Sequence, residues 1–307
     1  MTPASPPFHP VTEIVNAMTI DVEDYFHVSV FDGIVPRAQW DRLETRVCVN
    51  TERLLELFDQ HRVQATFFVL GWVAERLPHL VARIAAGGHE IASHGYAHRL
   101  IYDQTPAAFR EDVRRAKGLL EQQGGAPVRG YRAPSYSVTP RTLWALDILI
   151  EEGYSYDSSI FPIRHDRYGI PLSPRHPFVL ERNGRTLVEV PASTTRIGPL
   201  NLPIGGGGYF RILPYGWTKW GIQRVNQYEG RPAIFYLHPW EIDPDQPKLH
   251  TSALGRFRHY RNLHDTEHRL NRLLRDFRFG PMLSVINGLK PQPVGERQPA
   301  PALPYLW

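Results

Sequence analysis

Across 307 residues there is one cysteine, Cys48. An internal disulfide is therefore impossible, and a Cys-rich structural zinc site is excluded. Within Val47-Cys48-Val49 the thiol reads as a small buried hydrophobe. The lack of disulfides fits a cytoplasmic protein. Long hydrophobic runs are missing too. No stretch of about eighteen apolar residues occurs, so no membrane span is expected. The first sixteen residues are Pro-rich, with no cationic start and no long apolar run, and do not read as a signal peptide. Nor does one sign of charge dominate: 35 Lys plus Arg stand against 31 Asp plus Glu, a net of +4. Arg114-Arg115 and the segment from Arg256 to Arg261 are too short and mixed to form a basic stripe, so nucleic acid is not an expected partner. The Gly205 to Gly208 run lacks the Lys-Ser/Thr of a phosphate loop and reads as a flexible loop over a cleft or as a plain connector.

What is present is a 42% hydrophobic chain, enough for one large core, in which strand and helix patterns alternate. Ala17 to Val22, Val63 to Leu70, Glu90 to Ser93, Val128 to Tyr131, Tyr154 to Asp157, Thr186 to Val190 and Ala233 to Leu237 read as strands. A closing strand is expected at Met282 to Ile286. Helices are predicted from Asn50 to about His61, from Leu77 to Ala86, after the Thr105-Pro106 and Thr139-Pro140 start signals, near Tyr215 to Tyr228, and after an Asp265 cap. This order implies a parallel sheet or a βα barrel, with the chemistry where strands end and loops begin.

Five segments fall at such ends. Asp21, Glu23 and Asp24 are three carboxylates within four residues, a costly cluster that a cation would relieve and that a solvated turn would also tolerate. His94 and His98, four apart, can reach one metal if they share a helical turn. Together with an acidic residue they form a set suited to zinc or another divalent first-row ion. Arg132, in Arg132-Ala133-Pro134-Ser135-Tyr136, can hold a carboxylate ionised. Tyr156-Asp157-Ser158-Ser159 is uninformative alone, and His238, in Leu237-His238-Pro239-Trp240, could be a satisfied core residue.

In order, these five segments resemble the polysaccharide deacetylase family, the NodB-homology domain or carbohydrate esterase family four, over roughly residues 15 to 240. The resemblance implies a distorted (β/α) barrel of about seven strands, a flexible 1–14, a deacetylase barrel at 15–240, an extension at 241–290 packed on it, and a Pro-rich tail at 291–307. It departs at the acids: the family commonly has two adjacent aspartates followed by Gly. Asp21 matches the base, and the metal carboxylate is Asp24 by side-chain type or Glu23 by spacing, with Asp24 preferred. Trp240-Glu241 and His259-Tyr260-Arg261-Asn262 resemble the C-terminal extension of the branch tied to exopolysaccharide loci and the exosortase, PEP-CTERM system.

The activity so implied is hydrolysis of N-acetyl groups on an amino-sugar polysaccharide. Asp24 (or Glu23), His94 and His98 would hold the metal, Asp21 would be the base held by Arg132, and His238 the acid. A backbone N–H near Ser135 or Tyr136 would receive the oxyanion. Tyr136, Ser135 and Trp240 are the expected substrate contacts, and Trp72, Tyr96 and Tyr209 could offer further ring faces to sugars. A hydrolase of small cyclic or linear amides, and a non-catalytic carbohydrate-binding protein, are the alternatives.

Overall fold

In the computed structural model the described residues are 14–182, 184–289 and 292–293. Among these residues twelve strands are formed: β1 (Val15–Val22), β2 (Thr66–Val69), β3 (Glu90–Ser93), β4 (Gly130–Tyr131), β5 (Tyr156–Asp157), β6 (Phe178–Arg182), β7 (Arg185–Glu189), β8 (Thr194–Ile197), β9 (Leu200–Pro203), β10 (Ile234–Leu237), β11 (Arg278–Gly280) and β12 (Gln292–Pro293). Ten α-helices accompany them among the described residues: α1 (Val47–His61), α2 (Gly71–Arg76), α3 (Pro78–Ala86), α4 (Pro106–Gly124), α5 (Trp144–Glu151), α6 (Gly207–Ile212), α7 (Tyr215–Glu229), α8 (Ala253–Tyr260), α9 (Leu263–Asp276) and α10 (Met282–Asn287).

The main sheet runs β10-β1-β2-β3-β4-β5-β7-β6-β12, with β11 beside the first residues of β1. Every pairing in it is parallel except the β6–β7 hairpin. β10 and β12 do not pair among the described residues, so the sheet is an unclosed relative of the expected barrel. It is nevertheless strongly curled. Arg132, just after β4, touches Asp21 on β1 at 2.7 Å, although three strand spacings of about 4.8 Å would separate them in a flat sheet.

Alternation along β1 explains both faces. Met18, Ile20 and Val22 enter the large core under the helices, with Phe67, Val69, Leu54 and Phe58. Ala17 joins a smaller cluster with Phe68, Tyr156, Met282 and Ile286. Thr19 and Asp21, of the same parity as Ala17, meet Arg132 on that concave side. α10 packs below: its Met282 N–H donates to Thr66 Oγ1 at 2.7 Å and its Leu283 N–H to Glu90 Oε2 at 3.0 Å. The strands thus supply acceptors for the free amides at a helix start.

Several expectations are corrected. Met282 to Ile286 is the helix α10, and the strand is β11. α1 begins at Val47, because Asp24 accepts from the Arg46 and Val47 amides; Asn50 lies inside the helix and donates to Asp243. Thr139 and Thr142 form a local turn, and α5 starts at Trp144. Asn262 is the α9 cap residue, with Asp265 in the first turn. Cys48 is half-buried on α1. The predicted Pro-rich tail falls almost wholly outside the described residues.

The glycine run is neither flap nor spacer. Gly206 has φ +121, and a Cβ there would lie 1.9 Å from the Tyr236 carbonyl oxygen. Tyr236 N–H donates to Gly205 O at 2.7 Å, so the run lies flat against β10 beside the site. Gly206→Ala should lower unfolding free energy by about 2–5 kcal/mol through overpacking and left-handed strain. Denaturant titration against wild type checks this.

Candidate active site

At the β1 tip, Asp21 and Glu23 are each 2% exposed. Asp21 Oδ1 accepts from an Arg132 terminal nitrogen at 2.7 Å. The guanidinium is fixed on its other edges by Thr19 Oγ1 (2.8 Å), the Ser158 hydroxyl (3.0 Å) and the Ser158 carbonyl (3.3 Å). Ser158 gives the fourth motif its use. Its neighbour Ser159 donates to Asp157 Oδ1 and accepts from Ala133 N–H, which holds the Arg132 loop.

His94 sits at the β3 tip. Its Nδ1–H donates to the Arg132 carbonyl at 2.8 Å, leaving Nε2 as the free lone pair. Burial pushes its pKa down to about 4, so the ring is neutral at pH 7. His98 reaches the same point, but not along a helical turn as expected. The chain loops through Gly95 (φ +73) and His98 (φ +46), pinned by Asp112 of α4 on the Tyr96 and Ala97 amides and by Arg37 on the Ala97 and His98 carbonyls.

The carboxylate that joins the two imidazoles is Glu23. Its Oε2 lies 2.8 Å from His98 Nε2 and 3.8 Å from His94 Nε2. Among the described residues these three form the group with donor atoms close enough, within 4.8 Å, to share one cation. Oε2 is buried yet accepts no hydrogen bond, and the donor set of two imidazoles and one carboxylate suits a divalent first-row ion. Burial alone would raise the Glu23 pKa; the charge of His98, then those of His238 and His94, outweigh it and hold the carboxyl well below its usual range.

Asp24, the preferred ligand on sequence grounds, is a correction. Its Oδ1 accepts from Tyr25 N–H, and its Oδ2 from Arg46 and Val47 N–H at 2.8 and 3.0 Å. It caps α1 instead of facing the imidazoles.

Across the site, His238 Nε2 is 3.7 Å from both Asp21 Oδ2 and Glu23 Oε1. Its Nδ1 is 2.6 Å from Glu241 Oε1, and Arg211 Nε lies 2.5 Å from Glu241 Oε2. Burial would lower the His238 pKa, but the Glu241 hydrogen bond and the charges of Glu23, Glu241 and Asp21 carry it up to about 9. Sequence reasoning gave Glu241 and Arg211 no role. The three-residue spacing from His238 to Glu241 was a visible signal; Arg211 offered none.

The expected substrate contacts divide. Ser135 lines a cleft of about 450 Å³ together with His238, Tyr168, Tyr209 and Trp240. Trp240 offers no free face to a sugar: its ring stacks on His238 and His259, and its Nε1–H donates to Glu23 Oε1 at 3.3 Å. The Tyr136 ring is buried against Phe161, Tyr168 and Tyr236, and its amide is spent on Ala133 O at 3.1 Å. Trp72 is buried and Tyr96 lies under Arg115, so of the three further rings Tyr209 reaches the cleft.

Residues 41–151 match the family described as Polysaccharide deacetylase. The chain carries a polysaccharide deacetylase domain. A second match, to a domain of unknown function, DUF3473, covers 158–287. The deacetylase-domain match contains His94, His98 and Arg132; Asp21 and Glu23 precede it, and His238, Glu241 and Arg211 fall in the second. A peptidoglycan-N-acetylglucosamine deacetylase of Bacillus cereus is 29% identical over 120 residues, 35% of this chain and 44% of the relative. A chitooligosaccharide deacetylase of Sinorhizobium fredii is 37% identical over 108 residues, 33% and 45%. The chain thus spans less than half the length of these curated relatives. The fold is shared with a polysaccharide deacetylase structure from Mycobacterium smegmatis (TM-score 0.64, 21% identity, 97% of this chain and 99% of that one). It is shared also with the Puue allantoinase (TM-score 0.55, 15% identity, 96% and 91%). No helix among the described residues of the deacetylase-domain chain is long and apolar enough to cross a membrane.

The two acids should separate cleanly. Glu23→Gln should weaken Zn²⁺ or Co²⁺ binding on the order of 100-fold, read by calorimetry. Asp24→Ala should leave that affinity within a few-fold but cost about 3 kcal/mol of stability, because buried amides lose their acceptor.

Proposed function

We propose that this chain is a metal-dependent N-deacetylase of an amino-sugar polysaccharide. Residues 15–240 would supply the barrel and 241–290 an extension packed on it. The observation carrying this reading is the meeting of Glu23, His94 and His98 with the Asp21–Arg132 pair and His238 in one buried cluster, from which His238 reaches the cleft. A glycosidase would need two carboxylates but no imidazole pair.

Glu23, His94 and His98 would hold a divalent cation, zinc being the choice their donor types favour; it supplies Lewis acidity toward the acetyl oxygen and acidifies water. Asp21 Oδ2, the oxygen not taken by Arg132, accepts a proton from the attacking water. Arg132 holds that carboxylate aimed. As the carbon–nitrogen bond breaks, His238 Nε2 gives its proton to the departing amine, and acetate leaves. With the Tyr136 amide committed to Ala133, the amide of Ser135, at φ +50 in the same strained loop, is the backbone donor for the oxyanion. Tyr168, Tyr209 and Ser135 line the path for a sugar chain. The relatives named as acting on peptidoglycan and chitooligosaccharides support an acetylated amino-sugar polymer as substrate. An exopolysaccharide role rests on the sequence resemblance of the C-terminal region alone.

Incubation with acetylated glucosamine oligomers should release acetate, stop on thorough chelation, and resume when Zn²⁺ is restored. Turnover that survives metal removal, or ring opening of a small cyclic amide without acetate release from any oligomer, would sink this reading. Asp21→Asn should lower turnover roughly 10²- to 10⁴-fold while the bound metal per chain stays near that of wild type.

A further inference from the structure

Behind His238 lies a buried relay that no step above uses. Glu241 is 0% exposed and Arg211 2%. Glu241 Oε1 takes the Nδ1 side of His238 (2.6 Å) and also its backbone N–H (3.1 Å), while Oε2 meets Arg211 Nε. The remaining guanidinium nitrogens of Arg211 donate to the carbonyls of Arg258 (2.9 Å), His259 (2.8 Å) and Arg261 (3.1 Å). Those are carbonyls at the C-terminal end of α8, where a helix leaves acceptors unsatisfied and its dipole favours a cation. The reverse tie also exists. Asn262 Nδ2 donates to Arg211 O at 2.7 Å, and Arg269 donates to the carbonyls of Phe210, Arg211 and Leu213, which end α6. So α6 caps α8, and the residues after α8 cap α6, with Arg211 at the crossing.

We propose that this mutual capping is a positioning device: Glu241 and Arg211, braced by residues 253–269, hold the His238 ring with one proton at Nδ1, so that the proton it can transfer is at Nε2, facing the cleft. This rests on the deacetylase reading for the use of that proton, but its geometry does not. It gives a task to the 158–287 region, which supplies both His238 and everything that orients it. Carboxylate-to-imidazole bonding of this kind fixes tautomer and ring plane, and its loss acts on proton transfer more than on binding.

Glu241→Gln and Arg211→Met in the full, zinc-loaded chain test it, with folding checked by thermal melt. Turnover of an acetylated glucosamine oligomer is compared with that of 4-nitrophenyl acetate, whose leaving phenolate needs no proton. We expect the amide kcat to fall about tenfold or more with KM within about twofold, so that the amide-to-ester ratio falls about tenfold. Parallel loss of both activities would make the relay a scaffold only, and unchanged amide turnover in both variants would remove its role; either outcome overturns the proposal. Nitrogen-15 spectra of the His238 ring give a readout that needs no activity. Wild type should show a hydrogen-bonded Nδ1–H that weakens or changes tautomer in both variants. If the wild type releases no acetate, the deacetylase reading fails and the spectra alone decide: ring signals identical in all three proteins would refute the positioning role.

Discussion

A carboxylate that is 2% exposed, with an oxygen that accepts no hydrogen bond, is the constraint around which this site is organised. Glu23 sits among other buried ionic side chains, Asp21, Arg132, Glu241 and Arg211 among them, each exposed by no more than 2%. Isolated charges cannot stay ionised in such surroundings. Asp21 is matched by Arg132 and Glu241 by Arg211. Glu23 has no guanidinium partner: around it lie the imidazoles of His94, His98 and His238 and the Trp240 N–H. A buried carboxylate that faces two imidazoles is an arrangement suited to a divalent ion.

Keeping these groups together costs backbone conformation. His98, Ser135 and Tyr136 are non-glycine residues with φ near +50, all within the loops that carry the site. Left-handed conformations of this type cost on the order of 1–3 kcal/mol each and persist where surrounding contacts over-determine them. Those contacts are visible: Asp112 and Arg37 hold the histidine loop, and Ser159 and Ala133 hold the Arg132 loop. On the opposite wall, His238 is held through Glu241 and Arg211 by elements 170 residues or so away from the His pair in the chain. The site is thus a joint between two regions, and neither family match alone contains it.

Much of this was legible in the residues themselves. The apolar runs at Ala17 to Val22, Glu90 to Ser93 and Ala233 to Leu237 announce strands because two-residue alternation and β-branching suit little else. Thr105-Pro106 announces α4, and Thr105 Oγ1 does accept from Ala108 N–H. Asp21, the His pair, Arg132 and His238 stand out by type and position, and the structure gathers them around Asp21 and Glu23, with His238 reaching the cleft. Even the choice of Glu23 was within reach. Continuing the alternation of β1 past its end places position 23 with 19 and 21 and position 24 on the other side.

What the chain could not disclose are the features made by distant partners. Met282 to Ile286 has the composition of a strand, yet becomes a helix because Thr66 and Glu90 cap its start. Asp24 becomes a helix cap because α1 begins more than twenty residues later with no acceptor of its own, and Arg211 is tied to His238 only through Glu241 and the carbonyls ending α8. By itself the sequence determined where most strands of the core lie and the identities of the charged side chains, since periodicity and side-chain chemistry are local. Which carboxylate faces the imidazoles, which aromatic faces stay free, and what orients His238 were decided by the tertiary structure. A buried polar group takes its role from whatever lies within about 3 Å of it, whatever their separation in the chain.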